Sequence, residues 1–438
     1  MRGNRSWGLG GLTNGGATEL TWQEGRLSII DSQHLLSGFL PTMEPIYSDA
    51  LPPSIMSDLS QLLAFRDRQQ AANVPLLLVT IVRTAGSTYR KPGARLLFTS
   101  DGQHEGTISG GCLEADLLET AWNRLERNGN RPTMIRYDTT EEGEILWGTG
   151  TGCGGQVDLL LELLGTDDPL AFLAEGQSRD EEVAFVTVLE RCAPASGVTN
   201  PVRISSIGAR FCLRRGGSTY PKDLPDDLVA ELRRSAEHTL TEEQSFIARC
   251  RLRGAEFEIG CEFVPVPPHL FIFGTGRDVL PVAQQAKSLG WKVTVAGKRT
   301  TVGAATQLQQ LADAFLTAEE ALTLIKDDSL ILVMSHNFLS DLSVLESIAR
   351  RSIRYIGLLG PKTRREKLIA ELERNSAGWN RQLIDCLHAP AGLDLGAEGP
   401  AGIALSIVAE MQAVLAGRPA KSLRFRNAPI YATSSSVS

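Results

Sequence analysis

The run between residues 270 and 296 constrains the fold of this chain more than any other feature. An apolar stretch, 270–273, leads into Gly274-Thr275-Gly276. Helical spacing follows over 278–289, and then a second apolar stretch over 291–296. Strands without polar alternation are buried on both faces, and a helix between two of them makes a parallel crossover. The runs 330–334 and 355–359 repeat the pattern, with helical segments around them. Residues 265–418 therefore predict a Rossmann-like parallel-sheet domain with helices on both faces. Pro265, Pro267 and Pro268 form a short, stiff junction ahead of it.

Upstream, residues 56–264 predict a mixed α/β domain. Strands are expected at 76–82, 94–99 and 105–109, with a turn at Asp101-Gly102. An amphipathic helix over 113–127 carries Leu113, Leu117, Ala121 and Leu125 on one stripe. Runs at 134–137 and 156–163 flank a glycine-rich loop, 148–155. A strand meander at 183–190, 202–207 and 209–213 precedes a helix at 226–238. Residues 1–55 are rich in Gly, Ser, Thr and Pro and read as an irregular extension, and 419–438 as a polar tail. The expectation is that the ordered protein, and translation itself, starts near Met56. Intact mass of the natively expressed protein tests the second point.

The chain has 438 residues and a formal net charge of -7, an acidic balance that argues against general nucleic-acid binding. It contains no apolar run long enough to span a bilayer, and its first residues lack a secretory signal, so a cytoplasmic location is expected. Its seven cysteines are scattered, with no CxxC pair and no zinc-like spacing. That pattern is neither a disulfide framework nor a structural zinc site.

Two constellations could carry chemistry. In the first, Cys112 follows Gly110 and Gly111 at the start of a predicted helix. Free N–H groups and the positive helix end favour a thiolate there. Arg90, Lys91 and Arg95 precede it and supply cations, and Glu114 lies in the first helical turn. The bland alternative is a tight strand-to-helix turn with a small packed thiol. Cys153, between Gly152 and Gly154, is either an accessible thiol among backbone N–H groups or incidental to a glycine loop.

The second constellation is Gly274 and Gly276 between a strand and a helix, the context of a dinucleotide-binding turn. Two positions depart from the full fingerprint. Val279 replaces the third glycine, and Ala296-Gly297-Lys298-Arg299 carries no acid for a ribose. Lys298 and Arg299 leave NADP open where NAD is disfavoured. Downstream, His336 follows the strand at 330–334, the place where open sheets bind ligands, and can equally be a loop cap. Gly360-Pro361-Lys362 with Arg364 and Arg365 suits an anion or a solvated charge run, and Asp394 lies ahead of the last helix.

Gly86-Ser87, Arg90, Pro92-Gly93-Ala94, Asp101-Gly102 and Ser109-Gly110-Gly111-Cys112-Leu113-Glu114 resemble, in order and spacing, the first signature of the XdhC/CoxI family of xanthine dehydrogenase accessory proteins. Gly152-Cys153-Gly154-Gly155 is similar to that family's second loop, and the segments around His336, Gly360 and Asp394 resemble its Rossmann-like half. In this chain Gly297, Ala401 and Gly402 stand where the family commonly has acids. The resemblance implies binding of the molybdenum cofactor (molybdopterin), assistance in its sulfuration and its insertion into a molybdenum hydroxylase of the xanthine dehydrogenase type. It thus implies a maturation chaperone rather than a turnover enzyme. Cys112 would contact the molybdenum or its transferable sulfur. Gly110 and Gly111 would allow close backbone approach, and Arg90, Arg95 and Glu114 would orient the ligand. Cys153, Gly274, Gly276, His336 and Asp394 are further candidates. A cysteine desulfurase is a candidate partner, and a homodimer is open. The rival from another class is an NAD(P)-dependent oxidoreductase built on the Rossmann-like domain.

Overall fold

The computed structural model describes residues 19–23, 26–30, 48–49, 55–138, 155–165, 168–191, 207–219, 226–252, 255–298, 304–375 and 386–427. The chain divides into two compact units, Met1–Thr42 and Met43–Ser438. The first holds an antiparallel hairpin of β1 (Glu19–Gln23) and β2 (Arg26–Ile30). In the second, the short strand β3 (Ser48–Asp49) joins a sheet built from residues far along the chain. All three strands fall in the stretch expected to be irregular.

The second unit begins with α1 (Ile55–Ala71), β4 (Leu76–Gly86), β5 (Arg95–Thr99), β6 (His104–Gly106), α2 (Cys112–Arg127), β7 (Thr133–Asp138) and β8 (Gly155–Leu163). The strands form an antiparallel sheet in the order β6-β5-β4-β8-β7. The expected stripe of α2 is buried: Leu113, Leu117, Ala121 and Leu125 pack with Leu77, Val79, Leu96 and Phe98 on one face of this sheet. Alternate residues Leu76, Leu78 and Leu97 pack with α1 on the other face.

A second antiparallel sheet follows, with α3 (Pro169–Ser178), β9 (Val183–Arg191), β10 (Arg210–Arg214), β11 (Gly217–Thr219), α4 (Asp226–Glu242), β12 (Ser245–Leu252) and β13 (Ala255–Val264). Its order is β11-β10-β9-β13-β12-β3. Leu228, Leu232 and Ala236 of α4 pack against it. The strand expected at 202–207 lies outside the described residues except for Ile207, which is in a turn. Helix α3 was not anticipated, although Asp168 caps it through Leu170 N and Pro169 opens it, both readable start signals.

The two sheets meet across ion pairs as well as apolar contacts. Asp158 accepts from both Arg83, at 3.0 Å, and Arg136, at 2.6 Å. Arg83 also pairs with Glu258, Arg95 with Glu262 at 2.7 Å, and Arg210 with Glu162 at 2.8 Å. These pairs explain why β4 runs on to Gly86, beyond the apolar run 76–82. The register shifts between Ile81 and Arg83, and the polar residues after the shift face charged partners.

The last part of the unit comprises β14 (His269–Phe273), α5 (Val279–Ser288), β15 (Lys292–Ala296), α6 (Ala304–Leu311), β16 (Ala314–Leu316), α7 (Ala318–Leu324), β17 (Leu330–Val333), α8 (Phe338–Ile348), β18 (Tyr355–Leu358), α9 (Lys362–Asn375), β19 (Leu387–His388) and α10 (Gly399–Leu415). All six strands are parallel, in the order β16-β15-β14-β17-β18-β19. This is the doubly wound order, with its switch point between β14 and β17. Leu270 and Ile272 face the core under α5 and α10, and Phe271 and Phe273 the core under α7, α8 and α9. The expected Rossmann-like sheet is therefore present. Lys292, at the amino end of β15, pairs with Asp180, just beyond α3, at 3.0 Å.

Asp158 accepts from Arg83 and Arg136 within its own sheet and so holds the Arg83 that reaches across to Glu258, and its side chain is only 6% exposed. Without Asp158, Arg83 keeps Glu258 and Arg136 is 57% exposed, so the loss is that of buried hydrogen bonds rather than of an unpaired charge. The Asp158→Ala variant should lose about 1–3 kcal/mol of unfolding free energy, read by denaturant unfolding of the full chain. A loss below about 1 kcal/mol would contradict a structural role for this layer.

Candidate functional site

The first candidate site lies at one end of the five-stranded sheet. Gly86 at the end of β4 is the register partner of Gly155 at the start of β8. A side chain at Gly155 would collide with the Ser87 carbonyl oxygen, so the close approach requires glycine. Helix α2 runs antiparallel to β7. Asn128, just past the helix, donates to Thr133 Oγ1 at 2.9 Å, and Tyr137 hydroxyl donates to Asp116, one turn into the helix. The first turn of α2, with Gly110-Gly111 ahead of it, thus lies at the same sheet end as Gly86 and Gly155.

A carboxylate shapes this turn. Glu114 accepts from Thr107 Oγ1 at 2.8 Å and from the backbone N–H groups of Ile108 at 3.0 Å, Ser109 at 2.8 Å and Gly111 at 3.2 Å, and also from the Ser109 hydroxyl. Gly111, the N-cap, has φ 113°, a left-handed conformation suited to glycine. Burial alone would raise the Glu114 carboxyl, but hydrogen bonds from Ser109 and Thr107 outweigh it and hold the group below the usual carboxylate range. Ser109 Oγ in turn accepts from Leu113 N at 3.1 Å. Above the turn the backbone is open: a Cβ added at Gly110 or Gly111 meets nothing within 4 Å, and both residues are exposed.

The other candidates of the first constellation are distributed differently. Cys112 is the first residue of α2, whereas Cys153 lies outside the described residues. Arg90 is half-buried in the turn after Ser87, its carbonyl accepting from Thr88 Oγ1 at 3.0 Å. Arg95 is buried, its guanidinium committed to Glu262 and the Gly93 carbonyl within the inter-sheet layer. Thr107 and Asp116 were not singled out from sequence, and Ser109 entered only as part of the signature. A Glu three residues after a glycine cap was the available signal for the turn.

The second candidate site is a cleft of about 670 Å³ at the carboxyl ends of the parallel strands. Asp278, His336, Gly360, Arg364 and Asp394 line it. Gly274 packs against β17, where a Cβ would meet the Met334 carbonyl oxygen at 2.5 Å. In dinucleotide sites the second glycine lets backbone approach a pyrophosphate. Here a Cβ at Gly276 would collide with Asp278 Oδ1 and lie 3.7 Å from the His336 ring. Asp278 Oδ2 and His336 Nε2 lie 2.8 Å apart. His336 has φ 59°, unusual for a non-glycine residue. At Gly297, where an acid would hold a ribose, a Cβ would meet Thr275 Cγ2 at 2.6 Å. At both glycines the chain's own side chains lie against the backbone.

The model of the XdhC Rossmann domain matches residues 270–411, and that of the XdhC and CoxI family matches residues 69–138. The chain thus carries an XdhC and CoxI family domain and an XdhC Rossmann domain. A relative in Bacillus subtilis (strain 168), named as a probable xanthine dehydrogenase subunit, is 28% identical over 347 residues, covering 76% of this chain and 92% of its own. The "Molybdenum cofactor insertion chaperone PaoD" of Escherichia coli (strain K12) is 24% identical over 339 residues, covering 77% of this chain and 83% of its own. A Bacillus halodurans protein, whose crystal structure is described as that of a xanthine dehydrogenase, is 26% identical with a TM-score of 0.62. The match covers 86% of this chain and 99% of that one. Both XdhC signatures thus map onto the elements just described: 69–138 spans β4 to β7, and 270–411 the parallel sheet with its cleft. Among the described residues no helix is long and apolar enough to cross a membrane.

Because the folded turn lowers the Glu114 carboxyl, its contribution is fully present above about pH 5 and fades as pH falls through the lowered native value. Glu114→Gln should cost about 1–2 kcal/mol near pH 7, the scale of a lost cap. The difference from wild type should shrink below about pH 4. Unfolding titrations across pH check both points, and a pH-independent difference would contradict the charged cap.

Proposed function

We propose that this protein is a maturation chaperone in the cytoplasm. It binds the molybdenum cofactor, assists its sulfuration and delivers it to a molybdenum hydroxylase of the xanthine dehydrogenase type. The observation that carries this reading is the open Gly110-Gly111 turn at the start of α2, held by Glu114 at the same sheet end as Gly86 and Gly155. The PaoD relative supports the choice of cargo by its name.

The chemistry of the donor set suits such a cargo. The cofactor brings a pterin, a phosphate and a molybdenum held by sulfur, with its transferable sulfur ligand. Soft thiolates match such a metal. Cys112 opens α2, where the helix N-terminus favours the thiolate and the Glu114 carboxylate offsets part of that field. The missing side chains at Gly110 and Gly111 let a planar ligand approach the backbone. Arg90 supplies the cation closest in sequence to the Ser87 turn, and Cys153 the second thiol, two residues before Gly155. Arg95 and Glu114 act on the ligand indirectly, by holding the sheets and the turn that present these groups. A cysteine desulfurase is the sulfur source this scheme requires, and a homodimer is compatible with it.

The test is cofactor content and transfer. Full-length protein from a molybdenum-replete host should co-purify with molybdenum and pterin and activate an apo-hydroxylase. Cys112→Ala should lower both by at least tenfold while leaving the circular dichroism spectrum unchanged. Full retention of both would remove Cys112 from the mechanism.

A further inference from the structure

Helix α10 closes the parallel half, and its outer face differs from that of an ordinary surface helix. Glu410 is its one charged residue, and it is turned inward: its carboxylate accepts from the Tyr355 hydroxyl at 2.7 Å and from Gly392 N at 2.9 Å. Ala404, Ile407, Val408 and Met411 are buried in one core with residues of α5. The opposite face holds Leu405, 55% exposed, followed at helical spacing by Ala409, Gln412 and Ala416, and it carries no charge. A helix that faces water normally presents charged and polar residues there.

The two ends of α10 are exposed, apolar and oppositely charged. Ahead of its first turn stand Asp394, Leu395 and Glu398, all exposed, and Ile403 and Leu405 are exposed in its first two turns. Past its last turn the chain runs through Lys421, Leu423, Arg424 and Phe425, again all exposed. Leu423–Phe425 forms a 3₁₀ turn, with the Arg424 guanidinium 4.6 Å from the centre of the Phe425 ring and Phe425 itself 70% exposed. A single exposed Leu or Phe needs no explanation, but apolar clusters rimmed by charge mark interaction surfaces. The 17 residues of α10 separate the two clusters by about 25 Å of helix.

We propose that α10 and the segment after it form the interface between two copies of this chain. The two helices run antiparallel about a two-fold axis. Lys421, Leu423, Arg424 and Phe425 of one copy then meet Asp394, Leu395, Glu398 and Leu405 of the other. A two-fold operator makes this contact twice, once at each end, and such a surface has to be self-complementary. Acid at one end of the helix and base at the other satisfy that condition in the antiparallel sense, whereas a parallel pair sets like charges together. A second copy is favoured over any other occupant because one chain carries both halves of the contact. Its formal net charge of -7 otherwise opposes self-association. Leu395 and Ile403 also line the cleft of the parallel half, so each copy's segment comes to lie beside its partner's cleft. This inference gives the homodimer an interface and does not depend on the identity of the cargo.

Sedimentation velocity and light scattering of the full chain at micromolar concentration test it by mass. Wild type should be a dimer that weakens as salt rises. Phe425→Ser and Leu405→Ser, both at exposed positions, should each raise the dimer dissociation constant at least tenfold with an unchanged circular dichroism spectrum. One further variant carries Lys421→Glu with Arg424→Glu, and another Asp394→Lys with Glu398→Lys. Each should be monomeric alone. An equimolar mixture of the two should form a dimer again, because each reversed segment then faces an end of opposite charge. A monomeric wild type, a dimer unchanged by either serine variant, charge-reversed variants that dimerise alone, or a mixture that stays monomeric would each overturn the proposal. The readout is mass, so failure here leaves the chaperone reading standing, and a chain that binds no cofactor leaves the dimer standing.

Discussion

Arg83 pins the first half of the molecule together. It lies just past the register shift in β4 and pairs with Asp158 of its own sheet and Glu258 of the other. Burying such charges is costly, and replacement of buried pairs by apolar groups is often neutral or stabilising. What the pair supplies here is position. It draws the polar end of β4 along the sheet until Gly86 meets Gly155, and that meeting defines the edge on which α2 also begins. Glu114 then fixes the turn at that edge with hydrogen bonds that leave the outer face of the two glycines open.

The parallel half shows how a familiar fold can be refitted. Strand order, crossovers and the Gly274-Thr275-Gly276 turn all follow the dinucleotide-binding pattern. Yet Asp278 lies against Gly276, paired with His336, and Thr275 lies against Gly297. Fold and site are separable, and each glycine of a motif has to be asked what its missing side chain admits. At Gly276 and Gly297 it admits this chain's own groups.

Much of the architecture was legible in sequence because its causes are local. Short apolar runs around 270–296, 330–334 and 355–359 became the strands of a parallel sheet, and the stripe from Leu113 to Leu125 became the buried face of α2. What escaped notice depends on distant partners. The polar extension of β4 needs Asp158 and Glu258, and the hairpin of β12 and β13 gains its place from pairing with β9. The candidate site divides along the same line. The motif around Cys112 marks the turn at the start of α2, but the bonds of Glu114 and the burial of Arg95 against Glu262 come only from the folded chain.

We propose that Cys112, after Gly110 and Gly111, and Cys153, two residues before Gly155, serve one cofactor site. A double-mutant cycle on affinity for isolated molybdenum cofactor tests it most directly, using wild type, Cys112→Ser, Cys153→Ser and the double variant. A single shared site predicts strong coupling, with the double variant binding little worse than the weaker single one. Strictly additive losses, or a loss confined to one position, would contradict it.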